Sequence, residues 1–244
     1  MSGHSHFATI KHKKEATDKK RGQVFSKLAR VISLAVKEKG PNQETNYRLK
    51  IAVETAKSFN MPRENIDRAI QKGSGEASGE ILEELSFEAF GPLGIALIID
   101  CITDNKNRTL GEIKQILSQY NGKLGGEGSV KWLFNKKGVI TINFDNVSAV
   151  FKNKEDLELF IIEAGAEDFS WQENILDIYT SPEGLEAIKN KIEGGNVKVE
   201  STAQDWVAKE TLNLTEEQKG EIYKLFNALD ENDAVQNVYS NLRP

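Results

Sequence analysis

A stretch of small and acidic residues at 73–80, Gly-Ser-Gly-Glu-Ala-Ser-Gly-Glu, splits the chain into two parts with different periodicities. Before it, apolar residues recur at three- and four-residue steps. After it, they come in short alternating runs broken by glycine, proline and asparagine. The stretch itself has almost nothing to bury, so it reads as a flexible linker. A helical head followed by a mixed body is the architecture this pattern permits.

The head spans 1–75. From 19 to 39, Val24, Phe25, Leu28, Val31, Ile32, Ala35 and Val36 mark one face of an amphipathic helix. Asp18 is placed to cap it, and Gly40-Pro41 ends it. A second helix is expected over 44–59, with Leu49, Ala52, Val53, Ala56 and Phe59 inward. Pro62 suits the first turn of a third, which carries Ile66, Ala69 and Ile70 and stops at Gly73. Three short amphipathic helices make a small bundle. Residues 1–17 show no period and read as an arm that is poorly ordered alone.

The body is expected to be α+β. Strands are predicted at 85–90, 94–103 and 129–134, with a helix from 104 to 120. Residues 136–200 then follow the order β-α-β-β-α-β of a ferredoxin-like unit, with 197–200 as its last extended piece. An extended stretch at 201–207, a helix at 215–229 with the capping-box pair Thr215 and Gln218, and a strand at 235–240 complete the chain. The fold class is therefore α+β multidomain: an N-terminal three-helix bundle plus two ferredoxin-like α+β domains. One domain comprises 85–134 plus 201–240, and the other, 136–200, is inserted in it. A head on a flexible linker is expected to move relative to this body.

Charge separates the same two parts. The chain carries a net −5, yet residues 1–75 hold +9 and residues 76–244 hold −14. A basic end on an acidic body suits a polyanion partner approached by that end. Solvated helix faces would account for the same charges, and composition alone leaves both readings open. The candidate contacts for a nucleic acid are His4, His6, Phe7, Lys11, His12, Lys13, Lys14, Lys19, Lys20, Arg21, Lys27 and Arg30. Lysine and arginine neutralise phosphates, while flat rings such as Phe7 and His12 can stack on bases. Lys20, Arg21, Lys27, Arg30 and Lys37 fall largely off the apolar stripe and are expected to face outward.

Other chemistries find little support. His4, His6 and His12 lack the further ligands of a zinc site, and no metal or cofactor is expected. No Ser-His-Asp arrangement can be built, because every histidine lies in the arm, so the chain is not expected to be an enzyme. The glycines at 122, 125, 126 and 128 resemble a phosphate cradle only loosely, since a strand is expected to follow where a phosphate loop would open a helix. Cys101 sits in an apolar run and is expected to be a packing residue. One cysteine, no apolar run near 20 residues and no apolar leader suit a cytoplasmic protein outside the membrane.

The motifs then converge. Gly3-His4-Ser5, Ile10-Lys11-His12-Lys13-Lys14, Asp18-x-x-Arg21-Gly22 and Phe25-Ser26-Lys27-Leu28 open the chain. Asn60-Met61-Pro62, Asn65-Ile66, Arg68-Ala69-Ile70 and Lys72-Gly73 follow, then Asp104-Asn105-Lys106-Asn107-Arg108-Thr109, Gly128-Ser129-Val130 and Val235-Gln236-Asn237-Val238-Tyr239-Ser240. Together these resemble the YebC/PmpR family from end to end. Two departures stand out: His6 where the family often has lysine, and Phe7 where it usually has tryptophan. The resemblance implies three domains and a DNA-binding transcriptional regulator. It also implies a second reading, since relatives in mitochondria activate translation and bacterial members are linked to the ribosome at proline-rich stretches. Ribosomal RNA is then the polyanion. The basic head suits either nucleic acid and does not choose between DNA and ribosomal RNA.

Overall fold

A computed structural model describes residues 18–75, 82–147 and 150–243, with side chains from residue 21 onward. The head is three helices: α1 (Asp18–Lys39), α2 (Tyr47–Ser58) and α3 (Arg63–Gly73). Their apolar stripes meet in one cluster that includes Leu28, Ile32, Leu49, Val53, Ile66 and Ala69. Asp18 is already helical, so it is not the cap its sequence position suggests. Buried Asn46 holds the α1–α2 connection. Its side chain accepts from Leu49 N, capping α2, and donates to the carbonyls of Ala35 and Gly40 at 2.7 and 2.8 Å. Gly73 lets α3 lie against α1: a Cβ there would stand 2.4 Å from the Ser33 carbonyl oxygen. Ser33 Oγ donates to Ala69 O beside it.

The body contains two four-stranded antiparallel sheets. The first is built from β1 (Glu83–Phe90), β2 (Ala96–Thr103), β3 (Lys123–Leu124) and β8 (Val235–Ser240), in the order β3-β1-β2-β8. Helices α4 (Lys106–Gln119) and α7 (Glu216–Asp230) cover one face, where Leu97, Ile99 and Cys101 of β2 meet Ile113, Leu117, Ile222 and Leu225. The alternate residues Ala96, Ile98 and Ile102 are buried on the other face. Burial on both sides is why β2 reads as a continuous apolar run rather than an alternating one.

The second sheet has the order β5-β6-β4-β7, from β4 (Phe134–Asn143), β5 (Asp168–Gln172), β6 (Ile175–Thr180) and β7 (Ser201–Ala208). With α5 (Lys154–Ala164) and α6 (Leu185–Gly194) on one face, it is the βαββαβ arrangement expected from the sequence. The first sheet reaches the same layering by another route, since its two central strands are joined as a hairpin.

Two expectations change. The sequence pattern places the stretch from Ser201 with the domain of 85–134, but β7 belongs to the second sheet. It pairs with β4 from Thr141↔Ser201 to Phe134↔Ala208. Strand β4 is ten residues long and starts at Phe134, which gives β7 a full-length partner that 197–200 never needs. Residues 129–133 do not form the strand expected there, and Phe134 is the first residue of β4. Val130 precedes a 3-10 turn at Lys131–Leu133.

The head is seated on the body rather than free of it. Leu34 packs with Leu82 and Ile102. Lys37 Nζ donates to Leu82 O at 2.9 Å, and Arg48 bridges Glu38 and Glu84. Tyr47 donates to Glu186 at 2.5 Å, tying α2 to α6. The linker residues 76–80 lie outside the described residues.

The β1–β2 turn stores strain. Leu93 has φ 58° and ψ 16° and is half exposed. An L side chain in that left-handed region costs about 1–2 kcal/mol. Glycine gives back part of this gain through its larger unfolded-state entropy. Leu93→Gly is expected to raise Tm by roughly 2 °C; calorimetry showing a lower Tm would refute the strain.

Candidate nucleic-acid interface

The arm candidates His4, His6, Phe7, Lys11, His12, Lys13 and Lys14 lie outside the described residues. Lys19 and Lys20 belong to α1, without described side chains. Arg21 is exposed. The two remaining candidates are used inside the protein. Lys27 is only 3% exposed, and its ammonium donates to Asp230 Oδ1 at 2.6 Å and to Asp230 O at 2.7 Å. It thus caps the C-terminal end of α7, where the helix dipole favours a cation. Arg30 is half-buried and donates to Ile102 O at 3.0 Å, at the end of β2. Lys27 therefore does not present its charge to a ligand: it fastens α1 to the end of α7, which covers the first sheet.

What sequence reasoning left out is α3. A groove of about 430 Å³ runs between α1 and α3. Gly22, Ser26 and Arg30 on α1 line one wall at four-residue spacing. Asn65, Arg68 and Lys72 line the other, at the three- and four-residue steps that put side chains on one helix face. Ala29, Ala69 and Met61 form an apolar floor. Arg68 and Lys72 are exposed, and Arg68 is held along its own helix by bonds to Glu64 O and to Asn65 Oδ1, the latter at 2.6 Å. The signal was present in the sequence as two basic residues four apart opposite a helix with a small-residue seam.

A second cavity, of about 630 Å³, lies where the head, β8 and the uncovered face of the second sheet meet. Six carboxylates line it, among them Asp177, Glu200 and Asp205, against the three cations Arg48, Lys50 and Lys189. Its charge is wrong for a phosphate backbone. The two cavities thus have opposite chemistry, and only the α1–α3 groove suits a polyanion.

The glycine-rich segment is not an open phosphate cradle. Its amides already hold an anion from within the chain. Glu88, 5% exposed, accepts from Gly128 N at 2.6 Å through Oε1, and from Val130 N and Lys131 N at 2.7 and 2.8 Å through Oε2. Burial pushes its pKa up, but the three backbone donors and the Lys131 charge outweigh that and hold it below the ordinary glutamate value. The same bonds withdraw the Val130 and Lys131 amides from any ladder, which is why 129–133 is not a strand. Cys101 is buried, and burial together with the Asp100 charge pushes its thiol up to about 12, a packing residue rather than a nucleophile. Asn105 caps α4 by accepting from Arg108 N, and Arg108 pairs with Asp104, so that motif builds a helix start. Among the described residues no group of histidine, cysteine, aspartate and glutamate could hold a metal, and no helix is long and apolar enough to cross a membrane.

Similarity to known proteins runs over nearly the whole chain. The TACO1/YebC N-terminal domain matches residues 5–76, and the TACO1/YebC second and third domain matches 82–242. A probable transcriptional regulatory protein of Caldanaerobacter subterraneus subsp. tengcongensis is 46% identical over 242 residues, covering 99% of this chain and 98% of the relative. One from Thermotoga maritima is 44% identical over 241 residues, covering 99% and 93%. The crystal structure of a conserved hypothetical protein from Aquifex aeolicus superposes with a TM-score of 0.86 at 42% identity, covering 98% of this chain and 97% of that one.

Proposed function

We propose that this chain, which belongs to the TACO1/YebC family, regulates gene expression by binding nucleic acid in the α1–α3 groove. Its relatives are named probable transcriptional regulatory proteins, which supports a regulator of the YebC type acting on DNA. The observation that carries the reading is the groove itself: exposed Arg68 and Lys72 beside an apolar floor, in contrast to the acidic second cavity. The arm precedes α1 in the sequence, and its Lys11, Lys13 and Lys14 would add to the positive charge of the head. His4, His6, Phe7 and His12 would add polar and stacking contacts from the same arm.

One observation favours ribosomal RNA as the partner instead. The outward surface of α3 carries Glu64 and Asp67, with Arg63 drawn to Asp67 at 3.7 Å. A recognition helix pushed into the DNA major groove would bring those carboxylates against phosphates. A groove lying along the irregular backbone of folded RNA avoids that clash.

Arg68→Glu/Lys72→Glu tests the groove. Both residues are exposed, so thermal stability should stay near that of the parent protein. Affinity for duplex DNA and for a ribosomal RNA fragment is expected to fall at least tenfold. The slope of log K against log salt should shrink by about 2, one unit per lost phosphate contact. Unchanged affinity and slope would remove the groove from the mechanism. Co-sedimentation with nuclease-trimmed ribosomes, set beside promoter occupancy, separates the two partners.

A further inference from the structure

We propose a second nucleic-acid contact on the body: the exposed indole of Trp132, acting as a stacking platform for an unpaired base. This rests on the nucleic-acid reading above but uses residues far from the head in the sequence. Trp132 is 65% exposed, unusual for the largest apolar side chain. It is also held in place. Its Nε1–H donates to Ser129 O at 3.0 Å, so the ring's one polar group is satisfied and its faces are left for contact. The turn that carries it is pinned by Glu88 through the amides of Val130 and Lys131. A ring fixed before binding loses little freedom on stacking.

The surroundings point to a charged partner. The neighbouring apolar residues Phe90, Leu133 and Trp206 are partly buried in one cluster with Val130 and Phe134. Lysines sit over its rim: Lys123 Nζ lies 5.5 Å from the Phe90 ring centre and Lys131 Nζ 5.8 Å from that of Trp206. Lys209 is exposed beside the turn, its backbone N–H donating to Leu133 O. Glu127 and Glu210 are exposed on the same segments, and the Lys131 charge also faces the Glu88 and Asp100 carboxylates, so the ammonium groups offer individual phosphate contacts rather than a net-positive patch. A protein-docking face would offer contiguous apolar surface. Here an exposed ring stands on a turn whose adjoining segments carry Lys123, Lys131 and Lys209, the pairing of a stacking surface with phosphate-neutralising groups that grips single-stranded nucleic acid.

The chain has three tryptophans, so Trp171→Phe/Trp206→Phe leaves Trp132 as the sole emitter. Titration with oligouridylate and oligothymidylate should quench it strongly, and a blunt duplex should quench it much less. In the otherwise unaltered chain, Trp132→Ala should weaken single-strand binding about tenfold, and Trp132→Phe should recover most of that loss. Duplex affinity should stay the same, as should Tm. If Trp132 is not quenched and Trp132→Ala binds as tightly as the parent while the Arg68/Lys72 variant binds poorly, the stacking platform is wrong and the groove stands. If the parent protein binds neither strand form, both fall. Quenching or a blue shift that follows protein concentration without nucleic acid would assign the ring to self-association and overturn the proposal.

Discussion

Asp230→Ala is expected to cost about 3 kcal/mol of stability, because it leaves the Lys27 ammonium buried without its carboxylate. The figure sits at the low end for breaking a buried pair. Asp230 keeps 24% of its side-chain exposure, and its backbone carbonyl still accepts from Lys27 after the substitution. Lys27→Met should cost less, since a linear apolar side chain fills the same channel with no charge to solvate. The double variant Lys27→Met/Asp230→Ala should recover most of the loss, with the cycle showing strong coupling between the two positions. Urea unfolding of the four proteins measures this. Additive losses would mean that the pair is incidental and that the head is held by apolar packing alone. The same variants separate two roles for a basic residue. Lys27→Met should leave the salt slope of nucleic-acid binding unchanged, whereas Arg68→Glu should reduce it.

Lys27 also shows where sequence reasoning runs out. It sits among Val24, Leu28 and Val31 on α1, and a lysine there reads as a solvated charge flanking the apolar stripe. Its partner lies 203 residues away, and no local pattern pairs the two. The helices themselves were legible because their apolar spacing is regular and their ends are marked, as at Gly40, Pro62 and Gly73. The βαββαβ order was legible for the same reason. The partner of Ser201–Ala208 was not, because a strand's own alternation does not say which neighbour it pairs with. Arg68 and Lys72 were visible as charges and as family positions. That they face Ser26 and Arg30 follows only from the α1–α3 packing that Gly73 permits. The arm's candidates remain a proposal.

Glu88 was hidden by the same kind of ambiguity, and its removal carries the other large expected effect. In β1, Leu85, Phe87 and Ala89 face the helices, so Glu88 alternates with them and looks like an outward, solvated residue. The structure folds the 125–131 segment over that outward face, where the carboxylate serves three backbone donors at once. Glu88→Gln replaces one acceptor oxygen with a donor amide. Either Gly128 N–H or the Val130 and Lys131 pair then loses its acceptor, at a cost of roughly 2–4 kcal/mol. Because the folded carboxyl titrates below its ordinary value, this stability is fully present above the unfolded pKa of about 4.3 and fades as pH falls through the folded pKa. The gap between parent and Glu88→Gln should therefore be flat near neutral pH and close under acid. Hydrogen exchange gives the local readout: the Val130 and Lys131 amides, or that of Gly128, should exchange faster in the variant while those of α1–α3 do not. Equal protection in both proteins would show that the segment holds its shape without the carboxylate. If the turn does loosen, Trp132 loses its fixed orientation with it. Glu88→Gln should then weaken single-strand binding and leave the α1–α3 groove's contribution intact.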